Sequence, residues 1–214
     1  MSRYSAARPL LIGIDGRSGS GKTVLSTVLA ETLSADHQVT VLRLEDLYRG
    51  WDGLRAGMDI FSRDVLPRLA AGETSTYQTW DWHAQDSPGG APGPEVSTEP
   101  TEVVICEGVG VGARDNRHLL DVLIWLRVPD QVRYDRAIGR DGASYRKQWQ
   151  NWAAQERSVL DEDQIYDAAD LVLVAHEPDE RHHTSALAIV QAMLASEDHA
   201  AGQESSAPSA DQQS

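Results

Sequence analysis

The run GIDGRSGSGKT, Gly13 to Thr23, carries Gly16, Gly21, Lys22 and Thr23 at the spacing G-x-x-x-x-G-K-[ST]. Each fixed position has a physical task. The glycines let successive main-chain amides turn inward with no Cβ in the way. A helix beginning near Lys22 adds the positive end of its dipole. The Lys22 ammonium can reach β- and γ-phosphate oxygens, and the Thr23 hydroxyl can ligate Mg²⁺. A Gly/Ser turn also arises by chance, but here an apolar run precedes it and a helical pattern follows. Gly16, Ser18, Gly19, Ser20, Gly21, Lys22, Thr23 and Val24 are therefore the expected ATP-binding stretch.

A bound triphosphate can be hydrolysed, transferred or simply held. No Asn/Thr-Lys-x-Asp segment for guanine occurs. The apolar run VVICEG ends in one acid, Glu107, rather than the Asp-Glu of motor and transporter ATPases, and no Ser-Gly-Gly signature of transport ATPases is present. Past the second apolar run lies LEDLYRGWDGL, residues 44–54, with Glu45 and Asp46 where an acceptor hydroxyl could meet the terminal phosphate. A carboxylate there can take the hydroxyl proton or orient the nucleophile. Turns favour Asp in any case, so a solvated acidic turn is the plain alternative.

Arg133, Arg136 and Arg140 follow one another at i, i+3, i+7, with Arg146 beyond Gly142. On a helix the first three share a face. Cations on a mobile lid can neutralise a triphosphate and exclude water, which favours transfer over hydrolysis. The alternative is a solvent face balanced by Asp135 and Asp141. Six tryptophans stand against one phenylalanine, and Trp51, Trp80, Trp82, Trp149 and Trp152 fall outside the central apolar runs. Indoles suit a planar ring or a sugar face, and they also fill grooves between helices; Trp125 belongs to the core. The glycines of Gly108-Val-Gly110-Val-Gly112 read as a tight loop beside the phosphates rather than a dinucleotide turn, since no long helical run follows. The histidines lack metal spacing, His182-His183 included, so no zinc site is expected.

These residues need elements to position them. Leu10 to Asp15, Val39 to Leu44, Thr101 to Cys106, Asp121 to Val128 and Leu171 to Val174 read as short buried strands. Lys22 to Ser34, Ile60 to Ala71, Gln131 to Arg140, Ser144 to Leu160 and Thr184 to Ser196 read as helices. Glu45 to Gly57 reads as a polar, aromatic loop, Thr74 to Trp82 as a strand or extended segment, and the Pro/Gly-rich residues 87–100 as a surface loop. Alternation of this kind implies an α/β fold: a five-stranded parallel sheet, helices on both faces, and ligands outside the carboxyl ends of the strands. The expected organisation is a loose arm over 1–8, one domain over 9–198 with an acceptor-side insert at about 45–98 and a helical lid at about 131–160, and a disordered tail over 199–214.

The chain has 214 residues, 41% apolar and 24% charged, with a formal net charge of -14. That charge argues against nucleic acid as a partner, because such binding needs Lys and Arg to neutralise phosphates. No apolar run reaches the ~20 residues of a membrane span, and the first residues lack the apolar segment of a secretory signal. The single cysteine, Cys106, excludes an internal disulfide and suits a buried thiol in the cytoplasm. Nothing in the pattern predicts an oligomer.

Four segments in order, spanning roughly residues 9–175, resemble the uridine kinase-like branch of P-loop kinases, which also contains phosphoribulokinase. They are IGIDGRSGSGKT, LEDLYRG, VVICEGV and VRYDRAIGRD. The resemblance implies the P-loop NTPase fold, a Mg²⁺- and ATP-dependent kinase and a small-molecule acceptor, most readily a nucleoside. It implies that Lys22 binds phosphate, that Thr23 and Glu107, with Asp46 nearby, hold Mg²⁺, and that Arg136, Arg140 and Arg146 clamp the phosphates. The family's catalytic Asp aligns with Glu45, while Asp46 is adjacent and able to take the role. Glu45, Asp46, Tyr48, Trp51, Trp80, Asp81, Trp82, His83 and Trp149 are the expected acceptor-binding residues. Trp80-Asp81-Trp82 resembles the family's Tyr-Asp-Phe-x-x-His, whose histidine position is Gln85 here, with His83 two residues before it. A kinase of another alcohol (a sugar, vitamin precursor or antibiotic) and a nucleotide-binding regulator without acceptor remain open.

Overall fold

A strand points successive side chains to opposite faces, and all seven residues of β1, Leu10–Gly16, are buried. Such a strand needs cover on both sides. The computed structural model describes residues 8–84, 87, 89–174, 185–192 and 194. After β1 come α1 (Lys22–Leu33), β2 (Val39–Arg43) and a 3-10 turn at Leu44–Asp46. Then α2 (Leu54–Ile60) runs through one π-helical turn (Phe61–Val65) into α3 (Leu66–Ala70). A hairpin of β3 (Ser75–Asp81) and β4 (Ala91–Thr98) follows, then β5 (Val103–Glu107), β6 (Val122–Arg127), α4 (Asp130–Asp163) and β7 (Leu171–Val174). Residues 185–192 form α5. The predicted arm, apart from Arg8, and the predicted tail lie outside the described residues.

The sheet is five-stranded and wholly parallel, in the order β2-β5-β1-β6-β7. Its two-residue period divides the core. Leu10, Ile12 and Ile14 of β1, with Val103, Ile105, Val122 and Ile124, pack against Leu25, Leu29 and Leu33 of α1 and Ala186 and Val190 of α5. Leu11, Val104, Cys106, Leu123 and Trp125 face the other way, into the cluster beneath α2, α3 and α4. β1 lies between β5 and β6, and the chain leaves it towards β2 on one side and returns to β6 and β7 on the other. Ligand crevices in open α/β sheets form at such a reversal.

Three elements differ from the sequence reading. Residues 91–98, expected as loop, form β4. The hairpin is a separate two-stranded sheet whose pairing shifts between Gln78 and Trp80. That irregularity, opposite Gly93 and Pro94, accommodates a proline that a regular ladder would reject. The second difference is that Leu54–Gly57, also expected as loop, are the first residues of α2, drawn into the core by Leu54 and Met58. The third is that α4 is longer than its two predicted helices and is broken between them at Gly142, with φ 73 and ψ -150. That conformation is close to glycine-only.

Candidate active site

The glycine-rich loop bridges β1 and α1, so its geometry is set from both ends. Lys22 Nζ donates to the carbonyls of Gly16 at 2.9 Å and Arg17 at 3.4 Å, which draws the ammonium over the loop. Thr23 Oγ1 donates to Glu107 Oε1 at 2.9 Å, bringing the first turn of α1 to the end of β5. Burial pushes the Glu107 carboxyl up, opposed by the Lys22 charge and the Thr23 hydrogen bond. Gly19 sits at φ 77, and a Cβ there would lie 2.2 Å from the Arg133 carbonyl oxygen. No other residue fits so close to α4.

Asp15 is buried beneath this loop. Its carboxylate accepts N–H bonds from Gly16 at 2.6 Å, Gly110 at 3.1 Å and Gly112 at 2.8 Å. The glycine cluster after β5 is thus a tight loop tied to the phosphate loop, and two of its amides are already committed. Burial raises the Asp15 pKa to about 6, against the lowering effect of these amides and of Lys22.

A cavity of about 630 Å³ opens where these loops meet. Ser18, Gly19, Lys22, Thr23 and Glu107 form one side. Tyr48, Trp51, Trp82, Tyr145 and Trp152 form an aromatic wall on the other, with Glu45 and His83 at its edge and Arg140 and Asp141 from α4 above. Trp51 is the hub of the wall: its centroid is 5.0 Å from Trp82, 5.3 Å from Tyr145 and 6.3 Å from Trp152. Three of the polar edges are satisfied within the protein. Trp82 Nε1 donates to Glu45 O at 2.9 Å, Trp152 Nε1 to Ser18 Oγ at 2.9 Å, and Tyr48 Oη to Val109 O at 2.9 Å. What remains for a ligand is flat apolar surface, beside a carboxylate at Glu45 and a cation at Arg140. Arg140 makes a two-pronged pair with Asp141, which holds its pKa up, and it also feels the Glu45 charge. Among the described residues no group of three or more His, Cys, Asp and Glu side chains forms a metal cage. The Thr23–Glu107 pair fits Mg²⁺, an ion that takes most of its ligands from phosphate and water.

No protein-family model matches the chain. Uridine kinase from Leuconostoc citreum is 31% identical over 151 residues, 63% of this chain and 69% of that protein. Uridine kinase from Ligilactobacillus salivarius is 30% identical over 144 residues, covering 63% and 67% respectively. The chain belongs to the uridine kinase-like family. A solved structure described as a possible uridine kinase from Bacillus stearothermophilus shares the fold, with a TM-score of 0.58, 22% identity and coverage of 79% of this chain and 91% of that one. Shikimate kinase from Bacteroides thetaiotaomicron superimposes with a TM-score of 0.50 and 17% identity, over 86% and 98% of the two chains. The α/β architecture is that of P-loop kinases. Among the described residues no helix is long and apolar enough to cross a membrane.

In this uridine kinase-like chain not every residue singled out from the sequence reaches the cavity. Ser18, Gly19, Lys22, Thr23, Glu45, Tyr48, Trp51, Trp82, His83, Glu107 and Arg140 line it together. Gly16, Ser20 and Gly21 complete the loop behind them, and the Val24 side chain is exposed on the outer side of α1. Asp46 is half-buried outside the cavity wall, and its charge is felt by Tyr77 of β3. Its pKa is raised by burial and then by Glu45, with Arg43 opposing. Trp80 braces the hairpin instead of the cavity, donating to Gly89 O at 3.0 Å beneath the Arg49 guanidinium. Asp81 accepts the His83 N–H at 2.8 Å, a turn brace. Trp149 is wedged edge-on between Tyr134 and Tyr145, with Arg133 over its face at 5.6 Å, so its ring packs among side chains of α4 itself. Arg136 and Arg146 are outside the cavity wall.

Arg133, read from the sequence as one of three lid cations on a shared face, is only 2% exposed and donates to Ser18 O at 2.9 Å. Tyr145 and Asp141 also line the cavity although no spacing in the sequence singles them out, and Trp152, whose indole suits either a ring face or a helix groove, lines it while Trp149 does not. A rotation of α4 after Gly142 decides which indole faces inward, and spacing alone does not carry that rotation. A shallower depression of about 320 Å³ beside Trp125 and Tyr166 has its cations engaged: Arg17 with Glu156 and Asp130, and Arg127 with Tyr166.

Proposed function

We propose that the chain is an ATP- and Mg²⁺-dependent kinase that phosphorylates a hydroxyl of a small molecule, with a nucleoside 5′-hydroxyl as the leading acceptor. The observation that carries the reading is one cavity with two unlike sides. Lys22, Thr23 and Glu107 stand at the phosphate loop, and Glu45 stands at the foot of an aromatic wall facing them. The relatives named uridine kinase support the same class of reaction.

Thr23 and Glu107 would hold the metal, and the loop amides with Lys22 would hold the phosphates. Bound Mg·ATP would supply the phosphoryl group, with the metal offsetting part of the negative charge of the phosphates. Glu45 accepts the acceptor's hydroxyl proton and keeps the oxygen aimed at the phosphate side. Arg140 adds positive charge from above. The indole and phenol faces exclude water, so the captured alcohol is favoured over hydrolysis. The cytoplasm is the compartment that suits such a reaction.

The same flat wall also suits a sugar or another cyclic alcohol, and the acceptor segment, with Trp80 and Trp82 for the family's Tyr and Phe and Gln85 at its histidine position, supports that second acceptor class. The experiment is release of ADP from Mg·ATP across a panel of nucleosides, sugars and other small alcohols. Stimulation by one class identifies the acceptor. Tight Mg·ATP binding with no stimulation by any compound would instead mark a nucleotide-binding regulator.

A further inference from the structure

Lid helix α4 grips a single residue of the phosphate loop at three of its atoms. Glu156 Oε1 accepts the Ser18 N–H at 2.6 Å, Arg133 Nη1 donates to Ser18 O at 2.9 Å, and Trp152 Nε1 donates to Ser18 Oγ at 2.9 Å. The second oxygen of Glu156 accepts Arg17 Nε at 3.0 Å and lies 3.9 Å from Arg133 Nη1. The Glu156 side chain is fully buried and that of Arg133 is 2% exposed. Nothing in the glycine-lysine-threonine pattern requires such a carboxylate, and one next to a triphosphate site would by itself repel the ligand.

The surroundings remove that objection. Arg17 and Arg133 both also pair with Asp130, at 3.2 and 2.6 Å. Two guanidiniums and two carboxylates balance, so the group can aim the loop without adding net charge beside it. A buried carboxylate is tolerated only when paired in this way. Arg133 precedes the Gly142 break of α4, and Trp152 and Glu156 follow it, so both halves of the lid are pinned to the same loop residue.

We propose that Glu156, with Arg133 and Trp152, is a positioning residue for the phosphate loop: it claims the Ser18 amide, so that the anion cradle begins at Gly19, and thereby sets affinity for the nucleotide phosphates. The inference rests on reading the loop as a nucleotide site.

The test is calorimetric titration of the full chain with Mg·ADP at 10 °C, where circular dichroism establishes that each variant is folded. Glu156→Gln removes the charge and faces an amide towards Arg17; its Kd rises by roughly ten- to a hundredfold, the effect of losing a charged hydrogen-bond partner. Ser18→Ala loses the hydrogen bonds that Trp152 and Tyr145 make with the Ser18 side chain and weakens binding by about threefold or more. Glu162→Gln, an exposed change further along α4, leaves Kd within a factor of about two. A Glu156→Gln protein with a lower Tm and an unaltered Kd overturns the proposal, because the carboxylate is then structural only. If Glu156→Gln does not fold, Glu156→Asp decides: it keeps the charge, but the shorter side chain cannot reach both the Ser18 N–H and Arg17, so wild-type affinity overturns the proposal and weakened affinity supports it. A wild-type protein that does not bind Mg·ADP overturns the nucleotide reading itself, and the two failures are thereby distinct.

Discussion

Glu45 and Asp46 are neighbours in sequence with different surroundings. The 3-10 turn at Leu44–Asp46 buries Leu44 and sends the two acids apart, Glu45 to the cavity and Asp46 to the flank of the hairpin. If Glu45 takes the acceptor proton, Glu45→Gln lowers kcat by about 10²–10⁴ with little change in affinity for Mg·ADP. Asp46→Asn leaves kcat close to wild type. Steady-state kinetics on the two single variants checks this, and equal losses in both would assign the role to neither residue alone. The choice was open in the sequence because two adjacent carboxylates on a turn look alike until the turn's rotation is known. The Thr23–Glu107 meeting was legible only by resemblance, since 84 positions separate the partners.

Among the elements, those encoded locally were the ones the sequence revealed. β1, the glycine-rich turn and α1 form one continuous segment, and the Gly142 break sits between two runs that each read as helix. The hairpin was hidden because Pro92, Gly93 and Pro94 argue against a strand unless pairing is irregular there. The inward-facing indole of α4 was hidden because Trp149 and Trp152 are one turn apart, and packing against Trp51 and Tyr48 selects Trp152. The break itself yields a prediction. Gly142→Val forces a branched side chain into φ 73, ψ -150 and costs about 1–3 kcal/mol, from strain or from straightening the helix. Urea unfolding measures the loss; unchanged stability would mean that the break is not enforced by the fold.

At the scale of the whole molecule, Asp15 joins the phosphate loop to the loop after β5. Its ordinary pKa of 3.8 is raised to about 6 by burial. Folding therefore favours its protonated form. The Asp15 share of stability is fully present below about pH 4 and is lost as pH rises through about 6, a change of at most about 3 kcal/mol. In Asp15→Asn that slope disappears. Urea titrations at pH 4.5, 5.5 and 7 should show the difference between wild type and variant changing across this window; a constant difference would mean that Asp15 does not titrate there. Above that window the ionised carboxylate is available to hold Gly110 and Gly112, and so to keep Glu107 and Gly108 beside Lys22. The arrangement makes sense if its product is transfer and not hydrolysis, and mass spectrometry with a phosphate assay tests that most directly. With Mg·ATP and the stimulating alcohol, the account predicts one phosphorylated alcohol per ADP, little free phosphate, and neither product from Lys22→Ala. ADP accompanied by an equal amount of inorganic phosphate, with no phosphorylated alcohol, would contradict it.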